Sequence, residues 1–165
     1  GCFGQGCKVI DGWDFVNGDN NPDDDNGHGT HVSGISAAVS NNSTGIAGVA
    51  WNSKLMAIKV LDYDGSGHLS DVIEGIIYAA NNGAKVINIS LGEASSSESE
   101  NSTMQAARAA GCIIIAAAGN DGDASISYPA SYNNVISVGS VDKNDGISYF
   151  SNHNSMIKDF SEEIS

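Results

Sequence analysis

Cys112-Ile113-Ile114-Ile115-Ala116-Ala117-Ala118 is a nearly continuous apolar run. A strand apolar on both faces belongs in a sheet covered on both sides, as parallel sheets packed between helices are. It passes directly into Gly119-Asn120-Asp121-Gly122, so a buried strand hands over to a polar loop. Upstream, Thr103 to Ala110 has helical patterning and is stopped by Gly111. Val86 to Leu91 and Val135 to Val141 read as further strands, and Leu55 to Val60 as an alternating one. Val72, Ile73, Ile76, Ile77 and Ala80 form one apolar helix face. Ser70 or Asp71 caps that helix, with Glu74 in its first turn, and Gly83 ends it. Strands alternating with helices predict an α/β fold with a mainly parallel sheet.

The other segments read as loops. Residues 1–27 are acidic and glycine-rich, and Asn17 to Asn26 holds Asp19, Pro22, Asp23, Asp24 and Asp25 without an apolar side chain. Gly65-Ser66-Gly67 reads as a flexible loop, and the serine-rich stretch Glu93 to Asn101 as a mobile one. A chain of 165 residues predicts one domain. Its core spans 28–152, with a divergent tail over 153–165. The formal net charge is −13, with seven basic residues. That excludes nucleic acid and anionic membrane surfaces as partners, since no cationic face exists to meet phosphates. It suits a cationic ligand or a metal ion. No apolar run approaches membrane-spanning length. Cys2 and Cys7 flank a flexible stretch that either closes a small disulfide ring, implying an oxidising compartment, or leaves two free thiols. Cys112 opens an apolar strand and is expected to be buried.

Two segments carry chemistry. In Gly27-His28-Gly29-Thr30-His31-Val32 an imidazole lies between glycines, ahead of a helix from His28 to Ala38 with Val32, Ile35, Ser36 and Val39 on one stripe. Glycines leave space around the ring, and the free amides of a first helical turn disfavour a second positive charge there. A neutral imidazole is what a general base needs. The competing reading is a structural histidine. In open parallel sheets, sites form at the carboxyl ends of strands. Asn120 follows such an end, where its amide can donate to an oxyanion or simply build a turn with Asp121-Gly122.

GHGTHVSGI, VINISLG and AAAGN, in this order, resemble the histidine, substrate-strand and oxyanion segments of the subtilisin-like serine proteases. IKVLDYDGSG and the region from Tyr128-Pro129-Ala130 to Ser151-Asn152 also fit that pattern. The resemblance implies a three-layer sandwich around a central parallel sheet, truncated at both ends. It implies that His28 is the general base and Asn120 the oxyanion donor. Ser90, Leu91 and Gly92 would pair with the substrate backbone and wall the specificity pocket, with Ala117, Ala118 and Gly119 on another side. Gly65, Ser66 and Gly67 would be the second substrate-flanking strand. Extended peptides bind between such edges by β-augmentation, and small, apolar walls suit a large hydrophobic side chain. The loop Val39 to Ile46 resembles the family's calcium loop, giving Val39, Asn41, Thr44 and Ile46 as oxygen ligands for a structural calcium. The resemblance further implies protein and peptide substrates, a pro-segment inhibitor, a monomer, an extracellular location and no organic cofactor.

The chain also departs from the pattern. The triad order is Asp, His, Ser, and only the histidine segment is present. Asp11 and Asp14 lie in a stretch that the family places after its aspartate and are not assigned. Ser155-Met156 has the wrong flanks for a nucleophile. We therefore expect a fragment of a larger catalytic domain, inactive by itself. The competing expectation is a non-catalytic relative that binds extended peptides. A nucleotide-binding fold is disfavoured because Gly65-x-Gly67 lacks the rest of the fingerprint. Zinc on His28 and His31 lacks a third ligand. His31 is expected in the core, and His68 and His153 in solvent.

Overall fold

The computed structural model describes residues 4–153. Its elements run β1 (Val9–Asp14), α1 (His28–Ala37), β2 (Leu55–Lys59), α2 (Leu69–Asn81), β3 (Val86–Ile89), α3 (Glu98–Ala109), β4 (Ile113–Ala117) and β5 (Val135–Val138). The chain forms two compact units, Gly1–Ala79 and Ala80–Ser165.

In the first unit β1 and β2 pair in parallel, from Val9 opposite Leu55 to Asp14 opposite Lys59. The reading of residues 1–27 as loop is corrected here. Asp11, Gly12 and Asp14 are poor strand formers, and pairing with β2 overrides them. Gly12 is needed in that pairing, since a Cβ on it would stand 2.2 Å from the Ala57 carbonyl oxygen. Asp14 is buried, and it accepts hydrogen bonds from the Val16 and Asn17 amides (2.8 and 2.9 Å). Asp11 accepts one from the Tyr78 hydroxyl at 3.2 Å. Both unassigned aspartates thus have structural partners. Within α2, Val72, Ile76 and Ala79 are buried as the apolar stripe requires. The helix begins earlier than its expected cap. The His68 carbonyl accepts from the amides of Asp71 and Val72, so Ser70 and Asp71 lie inside the first turn.

In the second unit the sheet order is β3-β4-β5, all parallel. The middle strand buries Ile114 and Ala116. The expected loop over 93–101 is also corrected, because α3 starts inside it at Glu98. Ser97 is the N-cap, its side chain accepting from the Glu100 amide, and Ser-x-x-Glu is a capping signature. Met104 and Ala107 bury the inner face of α3. The β5 strand stops at Val138, short of Val141, which instead bridges Ile147 across the turn Asp142–Gly146. Parallel pairing with interleaved helices is the α/β architecture that the sequence implied. Among the described residues the strands form two parallel sheets, one in each unit. Cys7 is disulfide-bonded and Cys112 is free and buried, while Cys2, Ser155 and Met156 lie outside the described residues, as does the tail beyond His153.

Candidate active site

His28 is the first residue of α1 and is exposed. Gly27, at φ 96°, takes the left-handed turn into the helix and offers no side-chain cap. Asp24 supplies the cap instead. Its Oδ1 accepts from the amides of Asn26 (3.1 Å) and Gly27 (2.8 Å), and its Oδ2 from the Thr30 amide (2.7 Å). Desolvation pushes this carboxyl up, but the bonds from Thr30, Gly27 and Asn26 together hold it well below the usual carboxylate range. At the other end α1 is held by backbone bonds from Val49 to the Ile35 carbonyl and from Ala50 to that of Ser36 (3.0 and 2.9 Å). Its expected apolar stripe is not buried: Ile35 is 48% exposed, and Ala37 is the buried residue. His31 is exposed rather than in the core, because it lies on that same open helix.

The Asn26 carboxamide donates to the Tyr63 carbonyl at 2.9 Å, tying the approach to His28 to the turn carrying Gly65, Ser66 and Gly67. That turn is pinned rather than loose. Asp62 Oδ1 accepts from the amides of Asp64 and Ser66 (2.9 and 3.1 Å), and the Asp62 amide donates to the Ser66 carbonyl (2.7 Å). No strand forms over 65–67.

Asn120, in the second unit, is exposed just beyond the carboxyl end of β4. It lines a cavity of about 410 Å³ with Ser90, Leu91, Gly92 and Ala117. Apolar wall is added by Ala94 and Ile126, and two acidic residues, Glu93 and Asp121, line it too. Ala118 and Gly119 do not: Ala118 is in the core, and Gly119 makes the turn at φ 109°. Gly92 allows a close crossing, since a Cβ there would lie 2.6 Å from Ser127 Oγ. Next to it Glu93 and Tyr128 exchange backbone hydrogen bonds at 2.9 and 2.8 Å. Asp121 does not build the alternative turn with its own side chain. Its amide and carboxylate are both bonded to Asn152.

The loop over 40–47 encloses about 190 Å³ and is lined by Asn41, Thr44 and Ile46 among others, but not by Val39. Left-handed φ values at Asn41, Ser43 and Gly45 alternate along it. Its donors are carbonyl and amide oxygens, which suit a hard cation in kind but bring no carboxylate. Asn42 Oδ1 accepts from the Thr44 amide at 3.1 Å. Among the described residues no group of three or more His, Cys, Asp or Glu could hold a metal ion, so zinc on His28 and His31 gains no third ligand.

Sequence reasoning missed Asp24 and Asn152. The signal for Asp24 was a run of three aspartates, Asp23 to Asp25, shortly before a helix start whose own cap is glycine. Nothing local marks Asn152, whose partners lie about 30 residues away.

The family model described as the subtilase family matches residues 5–164. The chain belongs to the subtilase family. It is 49% identical over 150 residues to thermitase of Thermoactinomyces vulgaris, covering 91% of this chain and 54% of that protein. It is equally identical over 150 residues to a thermophilic serine proteinase of Bacillus sp. (strain AK1), covering 91% and 37%. The solved structure of the psychrophilic subtilisin-like protease Apa1, from the Antarctic psychrotroph Pseudoalteromonas sp. AS-11, superposes with a TM-score of 0.76 at 39% identity. That match covers 84% of this chain and 32% of Apa1. The subtilase chain described here thus spans about half or less of the relatives it matches, and its fold is subtilisin-like.

Proposed function

We propose that this subtilase is a serine endopeptidase that cleaves peptide bonds in proteins through an acyl-enzyme. The supporting observation is the position of Asn120, at the carboxyl end of a buried parallel strand and on the wall of a cavity shared with Ser90–Gly92. In this reading His28 accepts the proton of the attacking hydroxyl and returns it to the leaving amine. Asn120 donates a hydrogen bond to the oxygen that gains charge as the tetrahedral species forms. The hydroxyl and the carboxylate that orients His28 are assigned to no residue of this sequence.

Ser90, Leu91 and Gly92 continue past β3 and offer backbone groups to an extended substrate, and Gly65–Gly67 would also bind substrate. Ala117 supplies a small wall. Leu91, Ala94 and Ile126 accommodate an apolar stem, while Glu93 and Asp121 favour a cationic end. We therefore favour a long basic side chain over the purely hydrophobic one that the sequence suggested.

The disulfide at Cys7 supports an oxidising, extracellular location, and among the described residues no helix is long and apolar enough to cross a membrane. A pro-segment would occupy the same edges as substrate. The loop at 40–47 would hold a calcium ion through the Thr44 and Ile46 carbonyls and the Asn41 side chain, without Val39, which does not line it. Such an ion would stiffen the loop and enter no chemical step. Calorimetry with added calcium and with chelator checks this: a melting shift of several degrees is expected, and an unchanged melt rules the ion out.

The proposal is tested by treating the protein encoded by the complete gene with a peptidyl chloromethyl ketone. A ring nitrogen of His28 displaces chloride, and mass spectrometry finds the adduct on that histidine together with loss of activity. Adducts spread over His31, His68 and His153 at the same rate would contradict it.

A further inference from the structure

We propose that Asn152 is the positioning residue for Asn120, an inference that rests on reading Asn120 as the oxyanion donor. The two peptide groups that flank Asn120 are both tied to Asn152. The Asn152 backbone N–H donates to the Gly119 carbonyl at 3.1 Å. Its Oδ1 accepts from the Asp121 N–H at 2.7 Å. Its Nδ2 donates to Asp121 Oδ2 at 3.0 Å and to the Ser125 carbonyl at 3.2 Å. The carboxamide therefore uses both donor hydrogens and its acceptor within the loop 119–125. Asn152 is 1% exposed. It cannot touch a substrate, so its influence passes through the loop.

The clamp is itself anchored. Ser151, also buried, accepts from the Ser140 amide at 2.8 Å and donates from its hydroxyl to the Asn152 carbonyl at 3.2 Å. Ser140 lies two residues past the end of β5. Beside it, β4 reaches the same level, where the Ala118 amide donates to the Val138 carbonyl at 2.9 Å. Asn120 is thus held between the end of its own strand and a side chain fixed to the neighbouring one. Gly119 makes the approach close, since a Cβ there would fall 2.4 Å from Asn152 Nδ2. An oxyanion donor acts only if it is already in place when charge develops. A displacement of about 1 Å in such a group can cost as much as ~10²-fold in rate.

The test uses the protein encoded by the complete gene, with Asn152→Ser and Asn152→Asp, each alone and combined with Asn120→Gly. Asn152→Ser deletes the clamp without adding charge. Asn152→Asp keeps the size of the side chain and the acceptor but sets a carboxylate against Asp121, and it carries the test if the serine variant does not fold. We expect kcat to fall about tenfold or more with KM within about twofold. In the Asn120→Gly background the same change should cost less than about twofold, because the group it positions is gone. The proposal is overturned if kcat stays within about twofold of the parent, or if the loss is the same factor with and without the Asn120 carboxamide. An Asn120→Gly variant with unchanged kcat refutes the oxyanion reading itself, a separate result.

Discussion

Asp24 Oδ2 accepts the Thr30 backbone N–H at 2.7 Å, so a carboxylate from the preceding loop closes the first turn of the helix that carries His28. Gly27 at the formal cap has no side chain to do this. The arrangement separates two needs: glycine supplies the left-handed entry and the open space beside His28, and Asp24 supplies the acceptor.

Replacing Asp24 by alanine should lower stability at pH 7 by about 1 kcal/mol, the usual worth of a helix cap. The carboxyl is held below its ordinary range in the folded protein, so its contribution is complete above about pH 4 and is lost as pH falls through the folded value. Urea denaturation across pH should therefore show parent and variant converging in acid. A gap that stays constant from pH 7 to strongly acidic solution would show that the carboxylate is not the source.

Glu100 presents the opposite case. Its side chain is buried in the first turn of α3, and among the described residues its Oε2 has no hydrogen-bond partner. Desolvation raises this carboxyl, a bond from Tyr132 opposes the rise, and the nearby Glu93 charge adds to it. A raised folded value means that stability is complete below the unfolded range and declines as pH rises through the folded one. Glu100→Gln should then stabilise by about 1–2 kcal/mol at pH 8 and by little at pH 4. Equal melting temperatures for the two proteins at pH 8 would sink this account.

Gly119→Ala places a methyl group against Asn152 Nδ2 and forces a side chain onto a backbone at φ 109°. The expected cost is about 2 kcal/mol or more, read as a lower denaturation midpoint, together with a fall in kcat. Alanine tolerated without loss of either would mean that the clamp has slack.

The cavity chemistry gives a substrate test. Glu93 and Asp121 both line it, and a cationic side chain gains where an aromatic one does not. Chromogenic peptides differing only in lysine against phenylalanine at the cleaved residue should differ several-fold in kcat/KM, and the preference should weaken with salt. A phenylalanine preference that is indifferent to salt would restore the purely apolar pocket.

Much of this was legible in the chain. The α2 stripe, the glycine stops and the apolar run of β4 are local patterns, and local pattern is what packing against a sheet demands. The strand β1 was hidden because Asp11, Gly12 and Asp14 serve turns and tight contacts that only β2 reveals. The start of α3 was hidden under serines that look like loop, although Ser97 and Glu100 carried the capping spacing. The Asp24 cap and the Asn152 clamp depend on contacts through space, which no periodicity encodes. His28 and Asn120 stood out because one lies between glycines at a helix start and the other follows the carboxyl end of an apolar strand.

The central claim is tested most directly by kcat for a chromogenic peptide with the protein from the complete gene, its His28→Ala variant and its Asn120→Gly variant. The account predicts that the histidine variant is nearly inactive. It predicts that the asparagine variant loses about 10²–10³-fold, the loss known for this donor in subtilisin, with KM little changed. Turnover within a few-fold of the parent in either variant would contradict it.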